Sequence, residues 1–200
     1  HADMNTGVRT ATTYGALDAF FPAVLALAGD FDTAARLQAS SLSMWRHFGI
    51  EPEEINYRTW EVVGPAYPLR PEIVESTYYL QHYASVRTRA SRRPFSSGAS
   101  LRGLPARGSS PASLGSQSSS AESYRRDGQV MFLDFVTHCR SPAGYASLKS
   151  VVTKEQTDSL PSYVFAETFK YFYLLLAPPR TLDFDKVIFN TEAHPLRRTW

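Results

Sequence analysis

Apolar residues recur along most of this chain at helical spacing. In the run from Ala16 to Gly29, Leu17, Phe20, Val24 and Leu27 fall on one face of a 3.6-residue period. This predicts a helix with that face inward, kinked at Pro22 and ended at Gly29. A second helix is predicted over Thr33–Phe48, with Asp32 as its N-cap and Gly49 as its stop. Its inward positions are Leu37, Leu42, Trp45 and Phe48. Glu51–Leu69 reads as a long connection punctuated by Pro52, Gly64, Pro65 and Pro68. A third helix starts at Pro71, which suits a first helical position, and runs to about Ala84. A fourth covers Ala121–Cys139 with Val130, Leu133, Val136 and Cys139 inward, and a fifth covers Ser162–Ala177 up to Pro178 and Pro179. Lys186–Phe189 is a short β-prone run leading into the turn-like Asn190–Pro195. The expectation is an all-α chain whose paired helices stack in a layered or toroidal array.

Composition narrows the class. Hydrophobic residues make up 43% and aromatics 13% of 200 residues, which are globular values. The longest apolar stretches, Phe20–Ala28 and Tyr171–Ala177, are far shorter than the roughly 18 residues a membrane span needs, so no transmembrane segment is expected. One cysteine, Cys139, rules out an internal disulfide framework and a thiolate metal cage, and is read as a buried free thiol. The nucleophile-elbow, Walker and zincin motifs are all missing. The chain opens on His1 with no charged-then-apolar leader, which is the expectation for a processed product or a fragment.

The net charge of +2 hides an uneven distribution. Between Ser85 and Ala121 stand Arg87, Arg89, Arg92, Arg93, Arg102 and Arg107 with no acid, so the remainder is acidic. That segment has one aromatic, Phe95, and therefore no stacking platform; nucleic acid is not an expected partner. It also lacks hydrophobic periodicity and cannot offset its ordering entropy. The chain divides accordingly into a helical segment 1–84, a disordered Ser/Arg/Gly-rich stretch 85–121 and a second helical segment 122–200. The middle stretch is read as a tolerated insertion or as translated non-coding sequence, because loop closure entropy grows only logarithmically with length.

Three places could carry chemistry. Glu72 and Glu75 lie three apart in the first turn of a predicted helix, where free N–H groups favour a carboxylate, the state a general base requires. An ordinary solvated helix start would look the same. Tyr163, Glu167 and Lys170 form a polar stripe on an otherwise apolar helix, which a buried ion pair would equally explain. Thr191 and Glu192, within Phe189–Pro195, offer hard oxygen donors of the kind calcium takes, although the heptapeptide alone reads as a turn.

Taken in order, Leu69-Arg70-Pro71-Glu72 with Glu75-Ser76, Phe165–Tyr171 and Phe189–Leu196 resemble the C-terminal part of the glycoside hydrolase family 47 class I α-1,2-mannosidases. Leu17–Pro22 with Gly29-Asp30, and Gly144-Tyr145-Ala146, resemble intervening family segments, and Tyr67–Glu72 followed by Glu75–Leu80 looks closest to the ER degradation-enhancing α-mannosidase-like branch. The resemblance implies the C-terminal part of an (αα)7 barrel, plugged by a short C-terminal β-hairpin. It implies removal of terminal α-1,2-linked mannose from N-linked high-mannose glycans with inversion, using Ca2+, in the endoplasmic reticulum lumen or secretory pathway. Misfolded glycoproteins would carry the substrate, with an oxidoreductase or chaperone as a candidate partner. Carried over by residue, Glu72 resembles the catalytic base, and Arg70, Pro71, Glu75 and Glu167 resemble groups around the sugar and the metal's waters. Tyr163 takes the place of an aromatic under the ring. Thr191 resembles the calcium ligand, with Glu192 beside it. In such a reaction one carboxyl protonates the leaving oxygen while the other activates water. The family's acid lies upstream of the stretch represented here; Asp3, Asp18 and Asp30 are not in matching contexts, and Pro161 stands where many members have an acid. The chain is therefore expected to be inactive alone. The alternative is a non-catalytic, lectin-like module that binds mannose glycans.

Overall fold

The structure, a computed structural model, describes residues 1–91, 114–184 and 186–199, with side chains at all of these except 90–91 and 114–120. Strand β1 (Thr13–Gly15) leads through a 3-10 turn (Ala16–Phe20) into helix α1 (Phe21–Leu27) and helix α2 (Phe31–Phe48). Strands β2 (Glu54–Asn56) and β3 (Glu61–Gly64) follow, then helices α3 (Glu72–Ser91) and α4 (Leu114–Cys139). Strands β4 (Arg140–Ser141) and β5 (Gly144–Tyr145) precede a π-helical turn (Val164–Thr168) that runs into α5 (Phe169–Leu176). Strands β6 (Val187–Phe189) and β7 (Pro195–Arg197) close the chain as an antiparallel hairpin pairing Phe189 with Pro195.

Helix α3 is the centre of the molecule and packs against α1, α2, α4 and α5. It is buried almost all round, with Ile73, Val74, Tyr78, Tyr79, Leu80 and Ala84 in the core. Its small polar residues tie neighbours to it. The Ser76 hydroxyl donates to the Ala19 carbonyl at 2.6 Å and accepts from the Ala23 amide, one of the α1 donors that lack an intrahelical partner. Gln38 of α2 donates to Thr77 at 2.7 Å. Trp45, also on α2, is fully buried and donates to Asp134 of α4.

Several sequence expectations are corrected. The cap of α2 is Asp30, whose carboxylate accepts from the Thr33 amide at 3.1 Å, not Asp32; Gly49 does end the helix, in a left-handed conformation. The inward face of the first helical stretch is Ala16, Ala19, Ala23 and Ala26, whereas Leu17, Phe20, Val24 and Leu27 are exposed. Small residues let α3 approach closely, so the larger apolar side chains point away. Helix α4 is likewise rotated: Tyr124, Met131, Phe135 and Cys139 are buried while Val130 and Leu133 are exposed. The chain is not purely helical. Strands β2 and β3 lie inside Glu51–Leu69, which reads as a connection, and pair with β1 in an antiparallel sheet whose alternation is too short to stand out. Of the stretch 85–121, expected to be without structure, Ser85–Ser91 continue α3 and Leu114–Ala121 open α4; residues 92–113 lie outside those described. Cys139 is buried and free, as expected, and burial pushes its thiol up to about 12. No described helix is long and apolar enough to cross a membrane.

Candidate active site

The α3 N-terminus, the turn before α5 and the tip of the C-terminal hairpin converge on one cleft of about 670 Å³. Arg70, Pro71, Glu72, Glu75, Tyr163, Glu167, Thr191 and Glu192 all line it, so these candidate site residues are brought to one place, whereas Lys170 of the polar stripe is not among its lining. Leu17 and Phe20 form part of its wall, which gives two of the misassigned apolar residues their actual position.

Each element sets its side chain for a local reason. Pro71 precedes α3, so the helix begins with Glu72 in its first turn. Glu72 is only 9% exposed, and its Oε2 is buried without a hydrogen-bond partner. Burial pushes its carboxyl up to about 7, against the downward pull of its own backbone amide and of Arg70, whose guanidinium lies 3.9 Å away. Glu75, one turn along, accepts from the Tyr171 hydroxyl at 2.8 Å, and burial raises it as well. Glu167 sits in the π-helical turn, an irregularity that recurs at functional sites. Burial, and then Glu192 beside it, push Glu167 up to about 7.

The hairpin tip is held by an Asx turn. Asn190 Oδ1 accepts from the amides of Glu192 and His194, and this presents Thr191 and Glu192 to the cleft. Lys170 does not pair with Glu167. It donates to the carbonyl of Ala193 at 2.5 Å and so docks the hairpin onto α5. The ion-pair reading of the Tyr163, Glu167, Lys170 stripe is thereby replaced. Tyr163 lines the cleft, and its hydroxyl donates to the Pro68 carbonyl at 2.6 Å.

Two acids escaped the sequence reading. Glu53 holds Arg70 in a two-pronged pair, Nε to Oε1 at 2.5 Å and Nη2 to Oε2 at 3.1 Å, which keeps the guanidinium raised and aimed at the cleft. The β1–β2 sheet positions Glu53, since its carbonyl accepts from Ala16 and its amide donates to Ala66. Glu51 is fully buried, neither carboxyl oxygen has a hydrogen-bond partner, and burial with Glu72 and Glu53 nearby pushes it well above the ordinary range. The signal for both was the acid-rich Glu51-Pro52-Glu53-Glu54, upstream of Arg58 and Arg70.

The donor set suits a hard cation held indirectly. Among the described residues no three His, Cys, Asp or Glu side chains converge to grip an ion directly. Thr191 offers a hydroxyl and a carbonyl, and the acids Glu72, Glu75, Glu167 and Glu192 around the same cleft are of the type that holds a metal's waters. The unpartnered Oε2 of Glu72 is consistent with that use.

The fold is similar to that of a solved alpha-1,2-mannosidase from Trichoderma reesei, with a TM-score of 0.66, 21% identity and coverage of 96% of this chain and 40% of that one. The sequence pattern of glycosyl hydrolase family 47 matches residues 1–87 and 117–198, and this chain belongs to that family. Alpha-mannosidase I MNS4 of Arabidopsis thaliana is 31% identical over 193 residues, covering 92% of this chain and 25% of its own length. ER degradation-enhancing alpha-mannosidase-like protein 1 of Saccharomyces cerevisiae is 31% identical over 200 residues, covering 90% and 21%. The chain thus spans about a quarter or less of the length of these two relatives. The unmatched residues 88–116 fall inside the acid-free stretch.

Proposed function

We propose that this chain supplies the base side of a calcium-dependent α-1,2-mannosidase site that removes terminal mannose from N-linked high-mannose glycans with inversion. The observation that carries the reading is Glu72: a desolvated carboxylate at a helix N-terminus, on a cleft that also holds Arg70, Glu75, Glu167 and Thr191. Glu72 takes the proton from the attacking water. Arg70, fixed by Glu53, steadies the deprotonated form of Glu72 and donates to sugar hydroxyls. The ring of Tyr163 and the apolar Leu17 and Phe20 exclude water beside the sugar. Thr191 would hold calcium through its hydroxyl and carbonyl, with Glu75, Glu167 and Glu192 accepting from the ion's waters; when bound, the ion supplies the positive centre that orients sugar hydroxyls. Inversion requires a second carboxyl to protonate the leaving oxygen. We assign that acid outside residues 1–200, so the chain alone is inactive. The relatives' name, ER degradation-enhancing alpha-mannosidase-like protein, supports a place in degradation at the endoplasmic reticulum, and disposal of misfolded glycoproteins is part of the same proposal.

The test is made in the complete gene product, by release of mannose from a high-mannose glycan and by calcium calorimetry. Glu72→Gln abolishes turnover and leaves calcium bound; Thr191→Val weakens calcium first. Glycan binding without any release by the unaltered protein would overturn the enzyme reading in favour of the lectin-like one, as robust turnover by residues 1–200 alone would overturn the placement of the acid.

A further inference from the structure

Leu69 is fully buried and holds a φ of 64°, in the left-handed region that a branched, non-glycine residue avoids. Such a conformation persists only where the surroundings over-determine it. Here three consecutive carbonyls are each taken by a side-chain hydroxyl. Tyr163 donates to Pro68 O at 2.6 Å, Thr168 to Leu69 O at 2.7 Å, and Tyr67 to Arg70 O at 3.0 Å. The next two residues are Pro71 and Glu72.

The donors reach this loop from separate anchors. Tyr67 is buried, and its backbone exchanges two hydrogen bonds with Leu148, at 2.9 Å each. Tyr163 immediately precedes, and Thr168 ends, the π-helical turn that also carries Glu167. A threonine inside a helix commonly returns its hydroxyl to the carbonyl one turn back. Thr168 is fully buried and gives its donor to Leu69 instead, across a sequence separation of 99 residues. The loop before Glu72 is therefore tied to the helix bearing Glu167, independently of any ligand.

We propose that Thr168, together with the hydroxyls of Tyr163 and Tyr67, is a positioning residue: the three bonds lock the left-handed turn at Leu69 and so fix the direction in which Glu72 enters the cleft. None of the three need touch the reacting atoms through these hydroxyls. The inference rests on the reading of Glu72 as the base. It adds that the placement of the base is set from the π-helical turn before α5 and from Tyr67, and not by the α3 N-terminus alone. If Leu69 relaxes toward an ordinary conformation, Arg70 and Glu72 swing together, and misplacement of the order of an ångström costs a reaction on the order of a hundredfold.

The test uses the complete gene product with a high-mannose glycan. Thr168→Val keeps shape and removes the donor. It should lower kcat by roughly ten- to a hundredfold with KM changed by less than about twofold, because the substrate's contacts remain while the base is misaimed. Thr168→Ser restores the donor and should bring kcat back to within about threefold of the parent. Tyr163→Phe, at a partly exposed site that tolerates the change, is the second variant and should lower kcat by about threefold to tenfold on its own. Hydrogen exchange, read by mass spectrometry, should quicken in residues 67–73 of Thr168→Val while α2 is unchanged. A kcat equal to the parent's in folded Thr168→Val, or failure of Thr168→Ser to recover, overturns the proposal. A loss that appears only as general unfolding in Thr168→Val, with Tyr163→Phe fully active, overturns it too. If the unaltered protein releases no mannose, the reading of Glu72 falls, and local exchange decides the clamp by itself: unchanged exchange at 67–73 refutes it.

Discussion

Glu72 answers to two opposed influences within a few ångströms. A base must be ionised, yet burial pushes its carboxyl up to about 7 while its own amide and Arg70 pull it down. The raised value has a consequence for stability. The unfolded chain ionises this group near the ordinary 4.5, whereas the folded chain prefers the neutral acid up to about 7. The folded state therefore binds the extra proton between those values, and the stability it confers, full below the unfolded value, is lost as pH rises through the folded one. Glu75 and Glu51, raised chiefly by burial, act in the same sense. Calorimetry in chelator should show Tm falling from about pH 5 to about pH 7.5, with Glu72→Gln flattening part of that fall. Equal slopes for parent and variant would show that Glu72 is not desolvated as described. The sequence pointed to Glu72, Glu75, Arg70, Pro71, Tyr163, Glu167, Thr191 and Glu192, and all of them meet in one cleft. It did not point to Glu53, whose role arises only when β1 and β2 pair and bring it against Arg70.

The elements are held by close contacts that residue size controls more than hydrophobicity does. Gly128 on α4 faces Leu175 of α5, and a Cβ placed there would lie 2.3 Å from Leu175 Cδ2 and 2.7 Å from its Cγ. Leu175 is fully buried within the hydrophobic core. Gly128→Ala gains helix propensity of about 1 kcal/mol. The overpacking at Leu175 costs more, about 1–3 kcal/mol, so Gly128→Ala should lower the denaturation midpoint. Placed in a Leu175→Ala background, the same change should become neutral or stabilising, as read by chemical denaturation of the four proteins of the cycle. A similar penalty in both backgrounds would mean that α4 and α5 do not meet there. Arg125 of α4 seals the far end of α5 by donating to the carbonyls of Leu175, Leu176 and Ala177, which leaves Pro178 free to end the helix.

At the scale of the whole molecule, one face is left exposed among the described residues. Phe20, Phe21, Val24 and Leu27 are each 40% exposed or more, on a helix whose alanines face inward. Contiguous apolar surface of this kind marks an interface. Residues 1–200 expressed alone should therefore self-associate, with light scattering reporting oligomers and dye binding reporting exposed apolar surface. Val24→Glu combined with Leu27→Lys should shift the population toward monomer without loss of helical signal. A monodisperse monomer from the unaltered chain would mean that this face is tolerated by water.

Periodicity and stops were enough to locate the helices, because those features are local: a 3.6-residue repeat, Gly49, Pro71 and Pro178 act within a few residues, whereas the hairpin and the full set of cleft residues came from the resemblance to a family. Local information also marked Cys139 as a buried thiol and Lys186–Phe189 as a strand. The rotation of each helix about its axis was decided by its neighbours. Ala19, Ala23 and Gly128 are buried because α3 and α5 come too close for anything larger, and no scale that ranks residues by apolarity can anticipate that. The left-handed turn at Leu69 was equally invisible, since leucine gives no local reason for a positive φ. It exists because Tyr163, Thr168 and Tyr67 reach it from parts of the chain that only the tertiary structure brings together.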